Sequence, residues 1–597
     1  MGEGVRVEGV EAHVAALELE LARERVELAR ERAERAAAEE RLARVTQERD
    51  RLRASRDELL QELMLLKRRI FIAKAERVDT AQLELEFAEK LHQLDALAGT
   101  SGMPADEEES GHEGSDGAGD NGSSPLPKRG KSKSKSKGRR DLSKLRLPED
   151  RVEITDPLYE DLVAQGKAER IGTDDSYELG FKRGGMTRVV IARVKYRVVG
   201  ANGTTTVDVA PMPPRAFSRS LAAPSLLAHI VMAKYGEGLP LFRLEDRFAR
   251  DGVPIDRGTM CRWLEDAGGA AGATVITAMR CEAMESFCLA TDATGVLVQP
   301  IRTHEKGRQA CSRGHYFVIV ADRDHVFFEY TKKETSAAVE ALFKGYGGYI
   351  QADAKSVYDI LFRDPETPSG DDDPVKRPTE VGCWAHARRH FFEATLAKSA
   401  VAREGLARIG RIFELDASWT HEPPAKIKDR RDRFLRPHAD AFFAWAAVEY
   451  EDVRHQRGLL RSALGYAVRQ KEALMRVFDD GRLVLDNNRS ERHLRPIAVG
   501  RKAWLFVGSD DHAVSAGHLL SLVASARLHR LDPEAYLRDF FRVLPHWPRA
   551  RYLELAPKYW ARTRERLVPE QLAAEIGPLT VPEPLPLGAD PVVALAT

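Results

Sequence analysis

The sequence predicts a multidomain α+β chain, with an N-terminal coiled coil, a helical region, and an α/β domain split by a helical insertion. Three observations predict it. A single heptad register holds from about Val14 to Ile70. Hydrophobic residues nearly vanish between about Ala98 and Leu142. After Cys281, short β-rich runs and helical runs follow one another in a distinctive order. A chain of 597 residues is too long for one core, because single cores stop growing well before that length. The 92 basic and 92 acidic residues cancel, so no overall positive field exists and charge acts only locally. Five cysteines form no regular framework, which predicts reduced thiols in a cytoplasmic protein. The charged N-terminus reads as no signal peptide, no apolar stretch is long enough to span a bilayer, and the expectation is a soluble chain with no membrane partner.

Residues 1–98 are the predicted coiled coil. Leu17, Ala38, Val45, Leu52, Leu59 and Leu66 fall on one seam position and Val14, Leu21, Leu28, Leu42, Leu63 and Ile70 on the other. Glu24, Glu31, Arg35, Arg49 and Arg56 interrupt the seam, lowering its stability while restricting register and partner choice. The Leu-rich last third favours self-association into a homodimer or higher oligomer over a lone solvated helix.

Residues 99–145 carry an acidic Gly/Ser stretch and then Lys128 to Arg140, rich in Lys and Arg. Such a composition does not bury enough apolar surface to offset its ordering entropy, and its basic half suits either DNA phosphates or its own acidic half. Residues 146–215 form a small β-rich module, with Thr187–Val199 as its longest strand pattern. Residues 216–275 read as helices over 222–235, 239–250 and 256–267. The last two, joined through Gly252-Val-Pro, fit a helix-turn-helix whose second member offers Arg262 to DNA; a plain helical hairpin with buried Trp263 fits as well.

Residues 281–545 carry the chemistry. A strand closing at Asp292 is followed by strands at 316–321 and 326–330, a helix at 335–343, a strand closing at Asp353, a helix at 356–362, the short strand 381–384 and a helix at 385–398. This β-β-β-α-β-α-β-α order is that of a ribonuclease H-like fold, in which the first and fourth strands are neighbours and so bring Asp292 and Asp353 together. A helical insertion fills about 400–482. The chain then returns at Asp486-Asn-Asn-Arg-Ser-Glu491, where Asp486 reads as an N-cap, Pro496 as the helix end, and Arg495 shares a face with Glu491. Taken alone, Glu491 reads as the partner of Arg495 on an exposed helix. Two strand-end aspartates and a helix glutamate supply the hard oxygen ligands that Mg²⁺, or Mn²⁺ in its place, requires at a phosphodiester. Residues 546–597 read as a C-terminal tail.

Cys383 with His386 and Cys311 with His315 offer two half-sites for zinc. The better reading makes Cys383 the end of a buried strand, with His386, Arg388 and Arg389 opening the next helix toward the DNA backbone. Arg489, Arg492, Arg495, Arg501 and Lys502 suit the same role around Glu491.

Gly348-Tyr-Ile-Gln-Ala-Asp-Ala, Cys383-Trp-Ala-His-Ala-Arg-Arg-His-Phe391, Leu239-Pro-Leu-Phe-Arg and above all the block Leu485 to Phe506 resemble the large transposases of bacterial insertion-sequence family 66. The resemblance runs over nearly the whole chain, including the N-terminal zipper. It implies an Asp-Asp-Glu transposase whose triad falls on Asp292, Asp353 and Glu491, which are both the catalytic residues and the Mg²⁺ ligands. It implies double-stranded DNA as partner, both the terminal inverted repeats of the element and its target, with small accessory proteins of the same element. Localisation would be cytoplasmic, at the nucleoid when DNA-bound. Two departures stand out. No cysteine precedes Cys261, so the family's cysteine zinc module is excluded from residues 1–260. Asp292-Ala-Thr also stands where similar proteins carry Asp-Glu-Thr. A degenerate relative that binds element ends and represses transposition is the alternative reading.

Overall fold

The computed structural model describes residues 142–587, apart from 144, 183–184, 200–203, 218–219, 300–309, 364–376 and 397–398, together with a few helical positions between Arg23 and Gln47. The heptad seam as a whole and the acidic–basic segment lie outside the described residues. Among the described residues no helix is long and apolar enough to cross a membrane. The chain divides into two compact units: Lys128–Arg389 with Phe413–Ala444 and Gly465–Thr597, and Met1–Pro127 with His390–Ile412 and Trp445–Leu464.

In the first unit, β1 (Glu149–Ile154), α1 (Pro157–Ala164), β2 (Ala168–Lys182), β3 (Gly185–Val199) and β4 (Thr205–Val209) form a four-stranded sheet. Its spine is β3, whose run of β-branched residues suits a pleated, buried surface. β1 pairs with β3 in parallel, while β2 and β4 pair with it antiparallel. Val189, Ile191 and Tyr196 are fully buried, and the Tyr196 hydroxyl donates to Glu160 while accepting from the Asp156 amide.

The helical stretch contains α2 (Pro224–Val231), α3 (Leu241–Arg250), α4 (Arg257–Ala271) and α5 (Thr277–Ala283). Asp256 caps α4 by accepting from Gly258 and Thr259, which places the helix start where the sequence predicts it. Trp263 is buried in the core shared with the second sheet, and Arg262 is exposed beside Thr259.

The second sheet contains β5 (Cys288–Val298), β6 (Ser312–Ala321) and β7 (His325–Thr331). The chain continues through α6 (Ser336–Phe343), β8 (Tyr349–Gln351), a 3₁₀ turn leading into α7 (Asp359–Phe362), β9 (Thr379–Val381) and α8 (Trp384–Thr395). The strand order is β7-β6-β5-β8-β9. β5, β6 and β7 pair antiparallel, whereas β5–β8 and β8–β9 are parallel. The first and fourth strands are thus neighbours, as the order of elements predicts. β5 does not close at Asp292. The Ala293–Gly295 stretch breaks the apolar run, but register with β6 continues from Asp292↔Val318 to Val298↔Ser312, and cross-strand pairing overrides the weak local propensity.

The insertion supplies α9 (Ala400–Ala417), α10 (Pro424–Arg430), α11 (Arg436–Val453), α12 (Leu459–Arg469) and α13 (Lys471–Met475). In the second unit the Phe391 and Trp445 rings lie 6.1 Å apart, with the Arg408 guanidinium 5.2 Å from the Trp445 centroid. Next come α14 (Asn488–Trp504), α15 (Asp510–Leu528) and α16 (Pro533–Val543). Pro496 lies inside α14 rather than ending it. The hydrogen bond it forfeits falls at Arg492, an exposed position where water can replace the missing donor. α15 packs on β7, its Ser521 and Ser525 hydroxyls accepting from the amides of Phe328 and Val326. It crosses α4 so closely that a Cβ on Gly268 would lie 2.2 Å from the Ser515 carbonyl oxygen.

The segment read as a tail is folded through α17 (Pro557–Arg564) and α18 (Pro569–Ala573), with Trp560, Leu572 and Leu585 buried. Its apolar residues are broken up by prolines and charged residues; they find their partners only in the assembled core. Glu282 at the end of α5 holds it. Burial alone would raise the Glu282 pKa, but hydrogen bonds from His325, Lys558 and Tyr559 overcome that and bring it to about 2. A carboxyl depressed in the folded state contributes stability above its unfolded pKa and loses it as pH falls toward the folded value. Wild-type protein should therefore lose on the order of 1–2 kcal/mol between about pH 5 and pH 2 through this group, after allowing for solvent screening. In acid titrations followed by tryptophan fluorescence, Glu282→Gln should lack that component.

Candidate active site

Asp292 stands mid-way along β5, and its Oδ1 accepts from the Ala293 amide at 2.7 Å. Burial raises its pKa, and the charge of Glu491 adds to the rise, while the Ala293 amide, Lys355 and His386 pull the other way. Asp353 lies two residues past the end of β8, half-buried. Glu491 occupies the first turn of α14. Asp353 and Glu491 approach His386, in the first turn of α8: its Nε2 is 3.9 Å from Asp353 Oδ2 and 3.7 Å from Glu491 Oε1, while Asp292 lies near enough to feel the charges of Glu491 and His386. The ring's other nitrogen, Nδ1, is buried without a hydrogen-bond partner.

What holds Glu491 there is Asn487, a residue the sequence reading left without a role. It is completely buried. Its Nδ2 donates to the Thr291 carbonyl at 2.7 Å, one residue before Asp292, and its amide donates to the Cys383 thiol at 3.2 Å. One residue thereby ties the start of α14 to β5 through its side chain and to the turn after β9 through its backbone N–H. The segment before it is fixed in the same way: Gln351 donates to the Val484 carbonyl, and the Trp384 amide donates to the Leu485 carbonyl. Asp486 is not the residue that begins the helix. Asn487 takes that position, and both Asp486 oxygens are occupied by Asn488, through its amide at 3.1 Å and its side-chain Nδ2 at 2.7 Å.

A second set of groups lines the same region, of which the sequence singles out His315 alone, and that for zinc. Lys355 stands 3.3 Å from Glu334, which in turn lies 3.7 Å from His315. Burial lowers the His315 pKa, against the pull of Glu334. Tyr358, buried beside Asp292, Glu334 and Asp353, has its hydroxyl pKa pushed up by desolvation. The weak signal that could have marked Lys355 is its place two residues after Asp353.

The expected cations divide into groups. Arg492, Arg495 and Lys502 are exposed on α14, and Arg389 is exposed on α8. Arg388 lies over the Phe413 ring. Arg501 bonds the Thr294 hydroxyl and the Gly295 carbonyl, bracing α14 against β5. Arg489 turns inward beside Cys288, Asp322 and Arg323, where desolvation lowers its pKa. Arg262 lies on α4.

Among the described residues no three His, Cys, Asp or Glu side chains stand as a ligand set for a metal ion, and this holds for Asp292, Asp353 and Glu491, the expected Mg²⁺ ligands, as well. The two zinc half-sites therefore do not combine. Cys383 is buried and its thiol pKa is raised to about 12, mainly by burial, while Cys311 is exposed and His315 pairs with Glu334.

Residues 219–515, spanning α2 through the start of α15 and so the whole acidic region, match the family described as Transposase IS66 family. Residues 521–557 match the IS66 C-terminal element, and together the two cover more than half of the chain. The chain belongs to the IS66 transposase family. The folded stretch read as a tail begins within that C-terminal element. Among similar proteins, two uncharacterized proteins of Sinorhizobium fredii, y4hP and y4qI, are 26% and 27% identical over 380 and 395 residues. Those matches cover 60% and 65% of this chain, and 65% and 71% of the relatives. For y4hP the chain thus spans just under two thirds of the relative's length. No solved structure matches this IS66-family chain.

Proposed function

We propose that the chain is a DNA transposase that nicks the ends of its insertion sequence and joins them to target DNA, with Asp292, Asp353 and Glu491 as its acidic triad on a ribonuclease H-like sheet. The observation that supports this reading is the approach of Asp353, from the β8 end, and Glu491, from α14, to the His386 imidazole, with Asp292 on β5 close enough to feel the charges of Glu491 and His386. An exposed helix pairing Glu491 with Arg495 would need none of that.

The chemistry of the donors, three carboxylates, suits a hard divalent cation such as Mg²⁺, with Mn²⁺ able to replace it, and the ion itself would draw them into a ligand set. Burial raises the pKa of Asp292 and the charge of Glu491 adds to it, and a cation would favour the ionised carboxylates more strongly than the Ala293 amide, Lys355 and His386 do. Asp292, Asp353 and Glu491 would hold it. When bound, such an ion polarises the phosphodiester and activates the attacking oxygen. In nicking, water oxygen bonds to phosphorus as the bridging 3′ oxygen leaves and takes up a proton. In joining, that 3′ hydroxyl attacks a target phosphodiester, whose own 3′ oxygen leaves. The chain's contribution is placement. Asn487 and Arg501 brace α14 on β5, and Arg492, Arg495, Lys502 and Arg389 offer exposed cations to the DNA backbone. Two ends must be cut together, and pairing of two chains through the N-terminal heptads would bring them together; accessory proteins of the element would act at this stage.

The test is end cleavage by the intact protein on a labelled duplex spanning one end of its own element, in Mg²⁺ and in EDTA. Metal-dependent appearance of a new 3′ end at the element boundary is the expected result. Tight end binding with no nick in Mg²⁺ or Mn²⁺ would instead make the chain a DNA-binding repressor.

A further inference from the structure

The C-terminal end of α14 carries a feature that end cleavage by itself does not use. Leu505 adopts φ 62° and ψ −48°, a region that L-residues rarely enter. The Phe506 amide donates to the Trp504 carbonyl at 2.8 Å across it, closing a γ-turn of the strained, positive-φ kind. Strain of this sort persists only where the surroundings over-determine it, and it gathers at functional sites. Here the surroundings are rigid. On the far side of the turn the Val507 amide donates to the Leu297 carbonyl and Gln299 donates back to Val507, both at 2.8 Å. The turn is thereby pinned to the end of β5, the strand that bears Asp292. Trp504, on the near side, lines a pocket with Pro496, Ile497, Tyr235 and Tyr316, and one part of Phe506 borders the same pocket.

Between those two anchors, the turn presents two large apolar side chains to solvent. Leu505 is 61% exposed and Phe506 41%. A fold that needed only to end a helix would place glycine at Leu505 and would hide the phenylalanine. The approach to the turn is also unusual. Asn488, Arg492, Arg495, Val499 and Lys502 are exposed at intervals of three and four residues, so they share one helix face. Among the described residues, Arg492, Arg495 and Lys502 form no ion pair.

We infer that Leu505 and Phe506 are a wedge that enters the base stack of the DNA held along this face, unstacking one base step near the cleaved end. This rests on the DNA reading given above. A face of unpaired cations ending in bare Leu and Phe matches a duplex, with phosphates outside and apolar base faces within, and exposed apolar side chains of this kind unstack base steps in other DNA-bending interfaces. A second copy of the chain meeting this face about a two-fold axis would set cations against cations.

The test uses the full chain and duplexes of its own element end carrying 2-aminopurine at successive positions across the boundary. The fluorescence of this base rises when it is unstacked. Binding of wild-type protein should raise it at least about threefold at one or two adjacent positions. Leu505→Gly relieves the strained turn, so the variant is expected to fold, and it should bind the duplex within about threefold by anisotropy while losing most of the fluorescence rise. Phe506→Ala should lose it as well. Wild-type binding with no rise at any position would overturn the wedge and leave the DNA reading intact, as would Leu505→Gly keeping the full rise. Absence of duplex binding by wild type would overturn both. A shift from oligomer to monomer in Leu505→Gly without DNA would make the tip a contact between copies and overturn the wedge.

Discussion

Asp292→Asn, Asp353→Asn and Glu491→Gln are each expected to lower end nicking and strand transfer by about three orders of magnitude, whereas Asp486→Asn keeps most of both. Each amide keeps the shape of the carboxylate and removes its charge. A contribution of about 4 kcal/mol to a phosphoryl-transfer transition state corresponds to that loss. The contrast between Glu491 and Asp486 is the sharpest part of the expectation, because both precede or open the same helix. Asp486 spends its two oxygens on Asn488, and an asparagine there preserves an acceptor for the amide. Glu491 faces the His386 ring at 3.7 Å, and among the described residues no hydrogen bond occupies its carboxylate, which leaves it for a ligand. Nicking and joining by the four variants, measured on intact and pre-nicked ends with duplex binding as control, decide the matter. An inactive Asp486→Asn beside an active Glu491→Gln would move the third carboxylate to Asp486.

The largest expected loss of stability lies away from the triad, at Arg431. Its guanidinium is buried and grips both oxygens of Asp416, at 2.7 and 3.2 Å, while donating to the carbonyls of Val477 and Leu483. Asp416→Ala leaves that charge in a dry site with only two carbonyls for partners, which should cost about 3–5 kcal/mol. Replacing the pair together, as Asp416→Leu with Arg431→Met, should cost less than the single change, because no charge then remains buried, although two carbonyls lose a donor at about 1 kcal/mol each. Urea unfolding of the three proteins measures both figures. A double variant less stable than Asp416→Ala would show that the pair contributes net stability beyond mutual neutralisation. Leu483 precedes the stretch that feeds α14, so loosening at Arg431 also bears on where Glu491 sits.

The strand order was readable from sequence because each run was short, β-rich and bounded by turns, and because three antiparallel strands followed by helix-linked strands leave few topologies. The candidate triad was readable for the same reason, two of its members lying near strands that such a topology places side by side. Local reasoning failed where the deciding partner was distant. β5 continues past Asp292 because β6 pairs with it, not because Ala293-Thr-Gly295 favour a strand. α14 survives Pro496 because it is tied at both ends, through Asn487 to Thr291 and through Arg501 to Thr294 and Gly295. Asn487 looked like an ordinary polar residue near a helix start, since its partner lies 196 positions earlier. Folding after residue 546 was hidden because its anchor, Glu282, sits in a different part of the chain.

The amide of Asn487 also sets a clock on the nascent chain. Asp292 and Asp353 leave the ribosome well before Glu491, and the helix that bears Glu491 can be moored to β5 only once residue 487 has emerged and reached Thr291. At typical bacterial elongation rates, that interval is on the order of 10 s after Asp353 is made. During it, the half-made protein already has two acids beside one another but lacks the third and the side chain that would hold it. Chains cut short in the insertion would share that condition permanently. The three acids can therefore be assembled only after almost the whole of the region that bears them has been translated.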